Sequence, residues 1–466
     1  MLGEGALTAV FIPVLSEELE QEGVQGTFRL TNSVLSWLAV ISAVLVGVVC
    51  TGLYGGWLWI TRFAGPEAIA SAQAEQWQLG CLLGIAMMPY MFFICLSAVF
   101  AATLNVLGHF AVPALSPVLL NLAMIGAILI AGMGLGCPPV QLAYFLSLGV
   151  LFGGLLQLLA PMWALFRMGW RPQFDLNPNQ RLQQIFGLFL PGLLGATVAQ
   201  INILISRFLA FQLNQSAVAA LFYANRLVEL PLGIFALAIT TVFFPGLSKR
   251  IAAGDYAAAQ RGYTQGLQLI FAITIPAMVG LIVLSKPIIK LLFEWKSFGY
   301  EEVQATSSLL MIYAAAMPFY AWATYTSRGF HALQEMRTPV RIAWIVLATN
   351  LLAALLLMPW LETAGLALAN LIASIVQSLL LHWLLKAKTE HWSTAGAGKN
   401  LRAVILAAAF MGVLTYVGYD YLAGAMATTN KRVQLIAVSS TIFVAAGIYA
   451  SCLRLLKFRV ELGEVE

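Results

Sequence analysis

Twelve stretches of this chain stay apolar for about 20 residues, the length a helix needs to cross the hydrocarbon core of a bilayer. They fall near 34–61, 76–104, 112–134, 140–166, 184–211, 217–246, 265–285, 305–326, 340–358, 363–385, 402–424 and 433–455. In water such runs would have to bury one another. With 61% hydrophobic and 10% charged residues there is too little polar surface to cover them, since soluble chains carry about 25% charged residues. In lipid the outer face of each helix needs no cover, and the backbone hydrogen-bonds within the helix. The chain therefore reads as an all-α polytopic membrane protein. Residues 1–15 read as the end of a further span.

The basic residues give an orientation. If the segment after Ser16 is cytoplasmic, strict alternation puts seventeen Lys and Arg inside and six outside, with Arg207 and Arg226 within spans. Cytoplasmic loops carry such an excess, so the C-terminus is expected in the cytoplasm. This topology also accounts for the net charge of +5. No basic run interleaves with aromatics, so no nucleic-acid partner is expected.

Catalytic chemistry finds no foothold. There is no GxxxxGK[ST] loop, no HExxH, and no Ser/His/Asp set that could be placed. The five cysteines form no CxxC pair and there are only four histidines. We expect no enzyme, no cofactor and no metal centre, and any driving force must come from an ion gradient or the membrane potential.

An internal repeat organises the spans. Residues 6–16, ALTAVFIPVLS, match residues 238–248, AITTVFFPGLS, at seven of eleven positions with an offset of 232. A second, weaker pair sets Leu107–Pro113 against Leu333–Pro339 at an offset of 226. The copies run in the same direction, as parallel transporter repeats do. Pro13 then pairs with Pro245, and Pro113 with Pro339. Set against the second copy, the first lacks roughly 50 residues. The expected architecture is two pseudo-symmetric six-helix lobes around a central cavity plus two C-terminal helices, with the first helix and part of the second missing. Met1 is then an internal methionine, or the chain a shortened homologue. The expected divisions are 1–168, an incomplete N-terminal lobe; 169–390, a C-terminal lobe; and 391–466, two extra helices.

Charges inside spans are costly and usually face a cavity. Arg226 lies in FYANRLVELPLGIF with Glu229 three residues on, on one helical face. This is either an internal ion pair or an arginine presented to an anion, for which its planar fork is suited. Arg207, near the outer end of its span, is explained by snorkelling to the interface. Glu4 is either a lone carboxylate seeking a cation, with Arg328 as candidate partner, or a residue of the chain's terminal segment. Pro231 and Pro245 lie within spans, where proline marks a kink or a hinge.

Four motifs together resemble the MurJ/MviN family: GEGALTAVFIPVLSEE at 3–18, FAVPALSPVLLN at 110–121, FYANRLVELPLGIFALAITTVFFPGLS at 222–248 and RGFHALQEMRTPVRIA at 328–343. These are lipid II flippases of the multidrug/oligosaccharidyl-lipid/polysaccharide exporter superfamily. The resemblance runs in order along the whole chain. It implies alternating access that carries lipid II, an undecaprenyl-pyrophosphate-linked disaccharide-pentapeptide, to the outer leaflet of the bacterial inner membrane for cell-wall synthesis. Lipid II, membrane lipids and other cell-wall synthesis proteins are the implied partners. Arg226, with Glu229 beside it, takes the place of the family's cavity arginine; Glu4 and Arg328 take those of a cytoplasmic gate. Residues 391–466 would form the groove for the lipid tail. Some members bind sodium. Here Asn370 matches the asparagine of that site, but Ser206 and Ser374 stand where aspartates would, and lost carboxylates weaken a site for a hard cation. Two other readings remain: an exporter of another polyprenyl-linked glycan, and a truncated, non-transporting homologue.

Overall fold

A computed structural model describes residues 2–62, 72–178, 180–213, 216–295, 298–333, 335, 337–388, 397–425, 430–456 and 458. In chain order the helices are α1 (Leu2–Arg62), α2 (Ala72–Met87), α3 (Pro89–Val106), α4 (Ala111–Leu129), α5 (Pro139–Arg167), α6 (Gln180–Leu213), α7 (Ala217–Pro231), α8 (Leu237–Ala252), α9 (Tyr256–Val283), α10 (Ser285–Phe293), α11 (Tyr300–Ala332), α12 (Arg337–Lys388), α13 (Ala397–Ala425) and α14 (Lys431–Leu455). The chain divides into two compact units, residues 1–197 and 198–466.

Each expected span lies on a helix, and the differences have local causes. The 76–104 run is two helices because Pro89 opens α3 and has no N–H to donate. The 217–246 run is α7 and α8 joined by a π turn at Leu232–Ala236, directly after Pro231. α1 breaks at Gly23, whose φ of 66° a side chain would oppose. α12 holds two expected spans, folded back at Glu362 (φ 47°). There a Cβ on Gly365 would sit 2.7 Å from the Leu357 carbonyl, so only glycine fits. The fold-back brings Lys388 to Glu335, just before the start of α12, where they form an ion pair. Glu335 also accepts from the N–H groups of Arg337 and Thr338 at 3.1 and 3.2 Å, capping the helix.

Among the described residues nine helical stretches are long and apolar enough to cross a bilayer. α11 is not among them. It runs through the interior of unit 2, burying Ser307, Tyr313, Tyr325 and Thr326. Helices rather than lipid surround it, so it can afford polar groups that pair within the protein.

In unit 1, α4 and α5 pack on small residues. Gly149 and Gly153 are one turn apart on α5; a Cβ on the first would lie 2.6 Å from Ala127 Cβ, and on the second 2.9 Å from Leu120 Cα. Close backbone approach of this GxxxG kind replaces the hydrophobic drive that lipid removes. The segment after α5 is stitched to α1: Trp170 Nε1 donates to Asn32 Oδ1 and Asn32 Nδ2 to the Arg171 carbonyl, both at 2.9 Å.

Prolines inside helices supply a second means of joining helices. Pro161 leaves the carbonyl of Gln157 without its usual donor. Ser97 of α3 and Ser116 of α4 donate to it at 2.8 and 3.0 Å. In unit 2, Pro276 likewise frees the Ala272 carbonyl, and Tyr449 of α14 donates to it at 2.6 Å. A backbone carbonyl left unpaired in a dry interior costs about 1–3 kcal/mol. Tyr449→Phe should therefore lower the thermal unfolding midpoint of purified protein and expose α14 to proteolysis, with little effect from Ser451→Ala, whose hydroxyl bonds only within α14 at Gly447.

The matched segments make like hydrogen bonds, of kinds that recur elsewhere along these helices. Ser16 donates to the Ile12 carbonyl at 2.9 Å, and Ser248, 232 residues later, to that of Phe244 at 3.0 Å. At the offset of 226, the N–H of His109 bonds the Leu104 carbonyl at 2.8 Å, and that of Glu335 bonds the Phe330 carbonyl at 2.9 Å. The side chains of Pro13 and Pro245 lie outside the described residues.

Candidate functional site

Arg226 and Glu229 stand on α7 one turn apart, with Nη1 2.8 Å from Oε2. The other carboxylate oxygen accepts from Asn225 Nδ2, also at 2.8 Å. Both oxygens of Glu229 are thereby occupied. Arg226 uses one terminal nitrogen in this pair, which leaves Nη2 and Nε to form a bidentate fork. Its side chain is 66% exposed and that of Glu229 48%. An exposed pair of this spacing adds only about 0.3–0.5 kcal/mol, so structural support is a minor part of what Arg226 provides. The π turn that follows is a local widening of the helix, of a kind frequent at functional sites.

Beside this pair, α6, α7, α11 and α12 line a half-open cavity of about 370 Å³ within unit 2. Its polar lining includes Asn202, Ser206, Arg207, Glu229, Asn370 and Gln377, with Asn225, Tyr313 and Tyr320 beside them. Asn350, 1% exposed, holds the wall from behind. Its Nδ2 donates to Asn202 Oδ1 at 2.6 Å and to Ser206 Oγ at 3.2 Å. From α11, Tyr320 donates to Asn370 Oδ1 at 3.3 Å.

The structure thus gathers two of the three residues expected for an ion, Ser206 and Asn370, on one cavity. Ser374 is buried and donates to its own helix at the Leu371 carbonyl, 2.8 Å away. Arg207 lines the cavity wall, a place that snorkelling alone does not describe. Asn202 and Asn350 were not singled out from the sequence. The signal was available: an asparagine amid a long apolar run must be hydrogen-bonded by another helix. Arg328 is exposed, with its guanidinium carbon 5.9 Å from the Phe244 ring centre. The side chain of Glu4 lies outside the described residues. Among the described residues no three His, Cys, Asp or Glu side chains are grouped to hold a metal.

A model of the lipid II flippase MurJ family matches residues 1–432. The chain belongs to that family. A probable lipid II flippase MurJ of Rhizobium meliloti is 31% identical over 99% of this chain and 87% of its own length. A solved lipid II flippase MurJ in an inward closed conformation aligns with a TM-score of 0.74 at 25% identity, over 98% of this chain and 89% of that one. An inward-facing multidrug resistance MATE transporter of the MOP superfamily shares the fold, with a TM-score of 0.64 at 18% identity over 85% of this chain and 89% of that one. Family membership makes this a polytopic inner-membrane transporter and not an enzyme.

Proposed function

We infer that this chain carries lipid II across the inner membrane, from the cytoplasmic to the outer leaflet, by alternating access. The family match over residues 1–432 is the observation that carries the reading. Arg226 is its binding residue for the pyrophosphate. A lipid-facing arginine would cost about 2.5–3.5 kcal/mol on insertion scales. An exposed Arg226 is therefore favoured in a water-filled space, with Glu229 fixing its orientation. Glu4 and Arg328 form the cytoplasmic gate. Residues 1–168 and 169–390 act as the two lobes, and 391–466 as the groove for the lipid tail. The direct test is depletion of a host's own flippase in cells expressing this chain. Continued growth, with labelled lipid II appearing in the outer leaflet, supports the reading; lysis despite normal membrane levels of the chain defeats it.

The C-terminus and the α8–α9 turn are cytoplasmic on the charge asymmetry. A cysteine at position 255 in intact cells should react slowly with a membrane-impermeant thiol reagent, and one at position 299 quickly. The opposite order would reverse the orientation.

A further inference from the structure

The hydrogen-bonding capacity left over in the unit 2 cavity determines what it can hold. An amide offers one acceptor oxygen and a two-proton donor. The oxygens of Asn202 and Asn370 are already engaged, by Asn350 at 2.6 Å and Tyr320 at 3.3 Å. Their remaining strength is as N–H donors. Ser206 Oγ accepts from Asn350, so its proton is available to another group. Glu229 is the one carboxylate among the described lining residues, and Asn225 and Arg226 hold its two oxygens. Arg207 adds a permanent positive charge and makes no ion pair among the described residues.

Gln377 adds an amide and Asn225 a further amide oxygen, but with the guanidinium of Arg207 the cavity offers more donors than unengaged acceptors. A hard cation wants the opposite: six to eight oxygen ligands, several of them charged. Size points the same way. At about 370 Å³ the cavity is far larger than the roughly 30 Å³ share of a water molecule. It lies within the roughly 300–1,000 Å³ of sites for small organic groups.

We propose that this cavity is an oxyanion subsite, in which Asn202, Ser206, Arg207 and Asn370 donate to the oxygens of a phosphate or carboxylate group. Asn350 is a positioning residue that turns Asn202 and Ser206 donor-side toward the cavity. Ser206 and Asn370 thereby serve an anion rather than the cation expected from the family resemblance. That the anion belongs to a lipid-linked headgroup rests on the flippase reading; the chemistry of the cavity does not. A pyrophosphate and a peptide carboxylate share this chemistry.

The experiment is thermal unfolding of the full chain in detergent, titrated separately with inorganic pyrophosphate, alanyl-alanine and sodium chloride, with choline chloride matching ionic strength. At least one anion should raise the midpoint in a saturable way, and the one that does identifies the source of the oxygens. Arg207→Gln, at an exposed position, should weaken that anion at least tenfold, as loss of a charge-assisted hydrogen bond does. Ser206→Asp should abolish anion binding and confer stabilisation by sodium. Asn202→Leu should weaken anion binding as well, which places the probe in the cavity. Stabilisation of the unaltered chain by sodium but by neither anion overturns the proposal. So does undiminished anion binding in Arg207→Gln. If anions bind as described but the chain fails to sustain flippase-depleted cells, the subsite stands and the transport reading falls.

Discussion

Arg226→Ala is expected to abolish lipid II flipping while the protein remains folded in the membrane. The two halves of that expectation rest on different observations. Folding should tolerate the change because the side chain is 66% exposed and its pairing with Glu229 is solvent-screened. Transport should not, because the unpaired edge of the guanidinium is the feature that recognises a pyrophosphate through two parallel hydrogen bonds. Arg226→Lys keeps the charge and loses the fork, so an intermediate defect should follow. Growth after depletion of the host flippase reads the transport, and a membrane immunoblot reads the protein level. Normal growth of a well-expressed Arg226→Ala variant would reduce Arg226 to a structural partner of Glu229.

The spans were legible in the sequence because apolar run length is dictated by bilayer thickness. Charge asymmetry and the F-x-P-x-L-S repeat were legible for similar reasons: each is a local pattern with one physical cause. Ser16 and Ser248 make like bonds to carbonyls four residues back, as Thr27, Ser36 and Ser147 also do outside the repeat. Breaks within helices were harder. The reversal at Glu362 falls between the expected spans 340–358 and 363–385, but the division at Pro89, inside the expected span 76–104, and the kink at Gly23 were not marked. The cavity was the least legible part. Asn202, Asn350 and Asn370 are far apart in sequence, and their partnership depends on how α6 and the two limbs of α12 meet. Family resemblance pointed to Ser206 and Asn370 but also to Ser374, which bonds to its own helix instead. Arg226 was visible at once, since a charge in an apolar run has few explanations.

The same gap separates glycines that matter from those that do not, and it sets up the largest structural effect expected. The chain has 39 glycines, and composition treats them alike. Gly52 of α1 has nothing within 4 Å of the position a Cβ would take. Gly153 of α5 meets Leu120 Cα at 2.9 Å and Ala123 Cβ at 3.0 Å. A backbone atom of a packed helix cannot rotate away as a side chain can. A residue larger than glycine at 153 must push α4 and α5 apart, and it must do so where the Gln157 carbonyl, one turn on, depends on Ser97 and Ser116. Overpacking a core typically costs about 1–3 kcal/mol, and the loss of both hydroxyl donors to Gln157 adds a further 1–3 kcal/mol or so. Against a net stability of about 5–15 kcal/mol for typical folds, Gly153→Leu should sharply reduce the folded yield and lower the unfolding midpoint of what remains. Gly52→Leu should leave both unchanged. Size-exclusion profiles of the two variants, extracted in the same detergent, make the comparison. Equal, monodisperse peaks would mean that α4 and α5 are not held by the close approach at Gly153, and that the proline-freed carbonyl of Gln157 carries their association instead.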